Sequence, residues 1–511
     1  MRRMNATRAW WKMAVVAFFL SGCAPWNVAT RREPDAGKTV ALGDSPSIEG
    51  HTPGGATYGC KFIEFDGKGG IINYAQFDDA QKFLTAETKK RPVLLIIYCH
   101  GWQNNAQSGD VLRFVTFLKQ LADTPELKGH RVEGVFLGWR GSEFLPVMDG
   151  SAIANLKKGL EPDFGGDIVD PGWANPIPGT IMALPKVLTY FSIKDRAEYQ
   201  VSRVPLARTV YQLAYTVKSS EAKHKSQVFL LGHSFGALVL EQAVAQASVG
   251  LLASEWAEPS GVDRWPFDLV VLMNSAAPSL YAKQQKELLE NDLGAGSRPR
   301  IISITSTADH DTGTLHEIGN LGNRYFATDL QRKYYPYVTE GLNAQGREVS
   351  KTDWAHSMTA GAYYDYTPGH NPVLLSHWIV SKPCPKMPEL SGDPEVFARN
   401  LSVNNDPNIF YTYCDGGPKA WALEPIPDEK RREMNHGLDP GPYPSNYWFV
   451  SEPGMIIHNH GDIWSEQCME MLAGIYRIAV LQNGPMGRQR RAIDFPFDMA
   501  GKGSRWTPSM R

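Results

Sequence analysis

A chain of 511 residues, of which 42% are hydrophobic, 11% aromatic and 21% charged, can bury one large core or two modest ones. Its formal net charge of −2, with no basic run and no glycine-rich phosphate loop, excludes a nucleic-acid partner recognised through charge. The cysteines include no C-x-x-C pair.

At the N-terminus, Arg2, Arg3, Arg8 and Lys12 precede an apolar run from Met13 to Leu20. Such a run covers about 12 Å as a helix, against the ~30 Å of a bilayer core, so it reads as a secretory leader and not a span. Leu20-Ser21-Gly22-Cys23 resembles the bacterial lipobox. That resemblance implies cleavage before Cys23, diacylglycerol on its sulfur and attachment to the cell envelope. Ala24 in place of Asp fits the outer membrane of a Gram-negative cell. The alternative is an ordinary signal peptide with a chance cysteine. Residues 24–55, with Pro, Gly, Asp, Arg and Ser, read as a flexible tether. In an exported chain disulfides are permitted, and Cys384 with Cys414 is the first pair to consider. Cys99, inside a strand pattern, reads as a small buried hydrophobe.

From Lys61 to Ala86 the pattern suggests one or two strands and the start of a helix. Val93 to Tyr98 is an almost continuous apolar run, as in a strand buried on both faces of a parallel sheet, and it ends in His100-Gly101-Trp102. Phe114, Phe117, Leu118 and Leu121 have helical spacing over 112–121, and Val135 to Gly138 is the next strand. Between Gly141 and about Ser192 periodicity is lost among Pro, Gly and aromatic residues. A helix is predicted from about Lys194 to Lys218, a strand over 227–231, and a helix from Ala237 to Val249 ending at Gly250. Further strands are predicted at 269–274, 301–306 and 447–450, and a last helix at about 466–480. Strands alternating with helices argue for an α/β fold with a doubly wound, mostly parallel sheet.

Between the 227–231 strand and the helix after it stands Gly232-His233-Ser234-Phe235-Gly236. A G-x-S-x-G pentapeptide in that setting lifts a serine hydroxyl clear of the sheet on a turn too tight for large flanking side chains. Chance alone would supply roughly 0.3 such patterns in a chain of this size and glycine content, so the flanking strand and helix carry the inference. A serine hydroxyl needs a histidine base and a carboxylate to orient that base. Asp309 lies just past the end of the 301–306 strand, at the sheet edge where catalytic groups gather; Asp311 is the alternative two residues on. His460 follows the last strand and precedes Gly461-Asp462-Ile463, with His458 its competitor. Donors for a developing oxyanion are expected from the main chain of Phe235 and Trp102.

Together, His100-Gly101-Trp102, Phe136-Leu-Gly-Trp-Arg140, Gly232-His-Ser-Phe-Gly236, Met273-Asn-Ser-Ala276, Asp309 and His460-Gly-Asp-Ile463 resemble the α/β-hydrolase fold, serine esterase/lipase type, in the family's order from about residue 90 to 480. The resemblance implies a sheet of about eight strands, acyl-serine chemistry on a small-molecule or lipid ester, Ser234, Asp309 and His460 as the triad, and no cofactor. An acyltransferase or amidase would use the same three residues, and a non-catalytic envelope lipoprotein could retain the fold. In this division, 56–322 form the first part of the core and 445–485 its last strand and helix, with a tail at 486–511. The intervening 323–444, rich in aromatic, Pro and Gly residues, is an insertion that forms either a cap over the serine or a peripheral lobe. His458-x-His460-x-Asp462 matches part of a metallohydrolase signature, but Ile463 stands where that signature needs histidine, so no metal is expected.

Overall fold

The computed structural model describes residues 47–141 (save 103, 107, 125 and 126), 193–219, 226–257, 265–292, 299–316, 366–382, 409–434 (save 415 and 416), 443–444 and 446–477. The leader, residues 24–46 of the tether, the proposed Cys384 partner of Cys414 and most of the 323–444 segment lie outside them; Ser47–His51, expected in the tether, instead form a strand because they pair antiparallel with residues 57–61. Among the described residues no helix is long and apolar enough to cross a membrane.

The strands are β1 Ser47–His51, β2 Thr57–Glu64, β3 Val93–Cys99, β4 Arg131–Gly138, β5 Gln227–His233, β6 Leu269–Met273, β7 Ile301–Ser306, β8 His377–Lys382, β9 Ile409–Cys414, β10 Gly417–Pro425 and β11 Tyr447–Glu452. They form one sheet in the order β1-β2-β4-β3-β5-β6-β7-β11-β8-β10-β9. From β2 to β8 every neighbouring pair is parallel; β1 pairs antiparallel with β2, and β10 antiparallel with both β8 and β9. The architecture is therefore α/β with a mixed, mostly parallel sheet, compatible with the doubly wound expectation.

Helices cover both faces, and strand side chains alternate between them. In β3, Leu94, Ile96 and Tyr98 join Phe114, Phe117, Leu118 and Leu121 of α2 (Gly109–Ala122) in one core. A later helix, Glu466–Tyr476, adds Met471, Leu472 and Ile475 to the same layer. Val93, Leu95, Ile97 and Cys99 face the other layer, with Ala80 and Leu84 of α1 (Tyr74–Thr88), Leu206, Val210 and Leu213 of α3 (Val204–Ser219), and Leu238 and Leu240 of α4 (Phe235–Ala257). That two-sided burial is why β3 reads as an unbroken apolar run. The remaining helices are α5 (Ser279–Asp292), α6 (Asp428–Met434) and α7, the Glu466–Tyr476 helix.

Two expected helix limits are corrected. The 194–218 helix is broken: helical residues 193–196 widen into a π turn over Ala197–Val201, and α3 starts afresh at Val204. Pro205 explains the restart, because a ring without an N–H suits the first turn of a helix and not its interior. At the other limit, α4 does not stop at Gly250 but runs on to Ala257. An interior glycine costs a helix only about 1 kcal/mol, and Leu251, Leu252 and Ala253 continue the helix-forming composition.

Within the 323–444 segment, β8, β9 and β10 extend the central sheet beyond β11. Trp421 and Phe410 of these strands are buried in the layer that also holds α7. Ahead of β8, the short turn Pro368–His370 rests on β7, where a Cβ at Gly369 would meet Thr305 Oγ1 at 1.9 Å. Ser279 N–H donates to Tyr366 O at 2.8 Å, and Asn371 Nδ2 to Ser279 Oγ at 2.8 Å.

Candidate active site

Ser234 stands between β5 and α4 with φ 56°, a left-handed angle that a serine adopts only when its surroundings impose it. Its N–H donates to Met273 O at 3.0 Å, and its carbonyl accepts from Ala237 and Leu238 in the first turn of α4. The flanking glycines are required by close approach. A Cβ at Gly236 would lie 2.1 Å from Cys99 O, and one at Gly232 would lie 2.7 Å from Ala237 Cα. Gly101 presses on the serine itself, since a Cβ there would meet Ser234 Cβ at 2.8 Å. The end of β3 is thus held against the serine turn by main-chain packing.

His460, reached from the end of β11, lies beside that serine with Nε2 2.7 Å from Ser234 Oγ. On its other side Nδ1 is 3.0 Å from both Asp309 oxygens. This pairing fixes one assignment of the ring protons: Nδ1–H donates to the carboxylate and Nε2 accepts from the serine hydroxyl. The Asp309 side chain is fully buried, while that of His460 is 15% exposed. Asp309 also accepts from Asp311 N–H and Thr312 N–H, each at 3.1 Å, and from the Thr312 hydroxyl. Burial works to raise the Asp309 carboxyl, but the charge of His460 and the hydrogen bonds from His460 and Thr312 outweigh it and hold the group at about 2. Burial likewise works to lower the His460 imidazole, and the Asp309 carboxylate outweighs it, raising the ring above its ordinary value.

The competing candidates fall elsewhere. Asp311 contributes its main-chain N–H to Asp309, and its side chain is exposed. His458 turns outward, 55% exposed, with Nδ1 2.9 Å from Asp462 Oδ2. His458 and His460 are therefore committed to different carboxylates, and among the described residues no cluster of three or more His, Cys, Asp or Glu side chains could hold a metal ion. Cys99 is buried, and burial pushes its thiol far up, away from thiolate chemistry.

Around these three side chains stand residues whose part the sequence did not disclose. His100 is buried: its Nδ1–H donates to Gly101 O at 2.9 Å, and its Nε2 accepts from Trp139 N–H at 3.1 Å. Burial lowers this ring to about 4, so it stays neutral and braces the turn that carries Trp102. Glu452, at the end of β11, accepts from the N–H groups of Gly454, Met455, Ile456 and Ile457 at 3.0, 2.8, 2.9 and 3.3 Å. One buried carboxylate therefore shapes the start of the loop that carries His460. Farther along that loop, Trp464 Nε1 donates to Asp110 Oδ1 at the start of α2, and Tyr98 donates to Asp110 Oδ2 at 2.6 Å. His370, from the turn before β8, lies beside Asp309: burial lowers its pKa, opposed by the charge and main chain of Asp309. Its Nδ1 is 2.8 Å from Thr367 Oγ1. A lone histidine within an aromatic-rich segment carries no sequence signal for such a position.

No protein-family model matches the chain, and no curated protein or solved structure is similar to it at a significant level. The geometry of the site is therefore the ground for any functional reading.

Proposed function

We propose that the chain is a serine hydrolase of the α/β-hydrolase type that cleaves carboxylic esters through an acyl-Ser234 intermediate. The observation that carries this reading is the continuous relay from Ser234 Oγ through both ring nitrogens of His460 to the buried Asp309 carboxylate. The chain order serine, acid, histidine and the strand-to-helix serine turn with its left-handed angle support the same family.

In this mechanism Ser234 Oγ attacks the ester carbonyl as His460 Nε2 removes its proton. Asp309, its carboxyl held well below neutrality, orients the ring and stabilises the imidazolium. The tetrahedral oxyanion is received by the main-chain N–H groups of Trp102 and Phe235. Phe235 opens α4, where the helix dipole favours negative charge, and Gly101 brings the neighbouring turn into contact with the serine. His460 then protonates the leaving alcohol. In the second half-reaction a water attacks the acyl carbonyl as it gives a proton to the same nitrogen, and His460 passes that proton to Ser234 Oγ as the acid leaves.

The Leu20-Ser-Gly-Cys23 tetrad supports a place for this enzyme on the bacterial cell envelope, through diacylglycerol on Cys23. Radiolabelled palmitate should enter the expressed full chain and not a Cys23→Ser variant.

Hydrolysis of nitrophenyl esters from acetate to palmitate tests the activity and reads the length of the acyl pocket. Turnover by the wild type that falls by about 10⁴-fold or more in Ser234→Ala is expected. Equal turnover by the two proteins would contradict the reading.

A further inference from the structure

His460 sits on a loop, yet its nitrogens must meet Ser234 and Asp309 at hydrogen-bond distance. Two side chains outside the relay converge on its main chain. His233 Nε2 is 2.8 Å from His460 O, and Asn274 Nδ2 is 3.2 Å from the same oxygen. A carbonyl oxygen only accepts, so both nitrogens donate to it and occupy its two lone pairs. We infer that His233 and Asn274 are positioning residues that clamp the main chain of the base, so that Nε2 is held at the nucleophile and Nδ1 at the acid. This inference rests on the hydrolase reading of the same site.

The strand ends explain why these two residues are suited to the task. His233 is the last residue of β5, directly before Ser234, and its ring lies 5.0 Å from the His460 ring, centroid to centroid. A Cβ at Gly101 would come within 3.0 Å of His233 Nδ1, so the same ring is wedged between the Trp102 turn and the base. It is buried, and burial with the nearby His460 charge lowers it to about 3, which keeps it a neutral, single-proton donor across the working pH range.

Asn274 follows β6 with φ 44°, an angle that asparagine tolerates better than most residues. While its Nδ2 holds His460, its Oδ1 accepts from Ser306 N–H at 3.0 Å, at the end of β7. Its own N–H donates to Ile304 O at 2.8 Å. One amide therefore ties the base to the strand that delivers Asp309, and Ser234 N–H to Met273 O ties the nucleophile to the strand that delivers Asn274. Nucleophile, acid and base main chain share one hydrogen-bonded frame built on three adjacent strand ends.

The test uses three variants, nitrophenyl acetate kinetics and the rate of fluorophosphonate labelling at Ser234. His233→Phe keeps an aromatic ring and deletes the donor. His233→Gln offers an amide N–H near the position of Nε2. Asn274→Asp keeps the left-handed angle and the acceptor for Ser306 while deleting the donor, and it decides the matter if His233→Phe does not fold. The expected result is a kcat about 10- to 100-fold lower in His233→Phe and Asn274→Asp, with KM within about twofold, slower labelling in proportion, and substantial recovery in His233→Gln. Wild-type kcat in either deletion variant, or His233→Gln as slow as His233→Phe, would overturn the clamp. A wild-type protein that never reacts with the probe removes the hydrolase reading, whereas a reactive wild type matched by equally fast deletion variants removes only the clamp.

Discussion

Asp309 and His460 are each pulled by burial in one direction and by the other's charge in the opposite one, and in both the partner prevails. The consequence for activity has a definite sign. If His460 is the general base of the proposed hydrolase, it works only when unprotonated, so kcat/KM should fall as pH drops through a midpoint above the ordinary histidine value of about 6.5. Asp309→Asn removes the raising influence and leaves burial, so the acid limb of its residual activity should move to lower pH, with kcat reduced by about 10⁴-fold. A pH–rate profile of the two proteins checks both statements. That Ser234, Asp309 and His460 come together is legible in the sequence, because each follows a recognisable strand and carries a residue type suited to the proposed chemistry. The sequence assigns no role to His233 or Asn274, although both stand within the motifs that resemble the family, nor to Glu452 or His370, because their contacts with the main chain around the site are long-range or conformational facts that no residue pattern encodes. Gly236 lies between these cases: its place in the pentapeptide is legible, while its reason is the 2.1 Å approach of a would-be Cβ to Cys99 O. Gly236→Ala must push β3 away from the serine turn, and urea unfolding should register a loss of about 1–3 kcal/mol together with lost turnover.

At the scale of elements, the parallel strands were legible wherever burial on both faces made an unbroken apolar run, as in β3 and β6. Helix ends were less so, since Gly250 is a stop signal that the surrounding leucines and alanines override, and Pro205 is a restart that apolar spacing conceals. Strands β8 to β10 were not foreseen at all. In β8, His377-Trp-Ile-Val-Ser-Lys382 alternates only partly between buried and half-exposed positions, and its neighbours are rich in proline and aromatic residues. Antiparallel pairing with β10 along its whole length, and parallel pairing with β11 at its start, make it a strand, which is a long-range fact. The turn before β8 connects this added sheet edge to the site, because Gly369 is seated on Thr305 of β7 and His370 lies beside Asp309. Gly369→Val should unseat the turn and lower kcat while far-UV circular dichroism stays native. Unchanged kcat would show that the turn plays no part in holding the acid.

For the molecule as a whole, burial of titratable groups in and around one sheet sets a pH window of stability. His233 and His100 are held at about 3 and about 4 in the folded protein, below the unfolded value of about 6.5. The unfolded chain then binds more protons over that interval, so these histidines make stability fall as pH drops from 6.5 towards 3. Glu241, buried in α4 and donated to by Tyr447 at 2.6 Å, is raised by burial to about 7. Its folded form binds the proton more tightly than the unfolded chain does, so it favours folding below about 4.5 and loses that contribution as pH rises through 7. Chemical denaturation across pH should show Glu241→Gln with a smaller loss of stability between about 4.5 and 7 than the wild type, and an unchanged decline on the acid side.

In the proposed mechanism Ser234 is a nucleophile made reactive by His460 and Asp309. The most direct test is treatment of the purified protein lacking residues 1–23 with a fluorophosphonate, followed by peptide mass spectrometry. One covalent adduct is expected, located on Ser234, formed slowly or not at all in His460→Ala and absent in Ser234→Ala. An unmodified wild type, or an adduct that persists in Ser234→Ala, would contradict it.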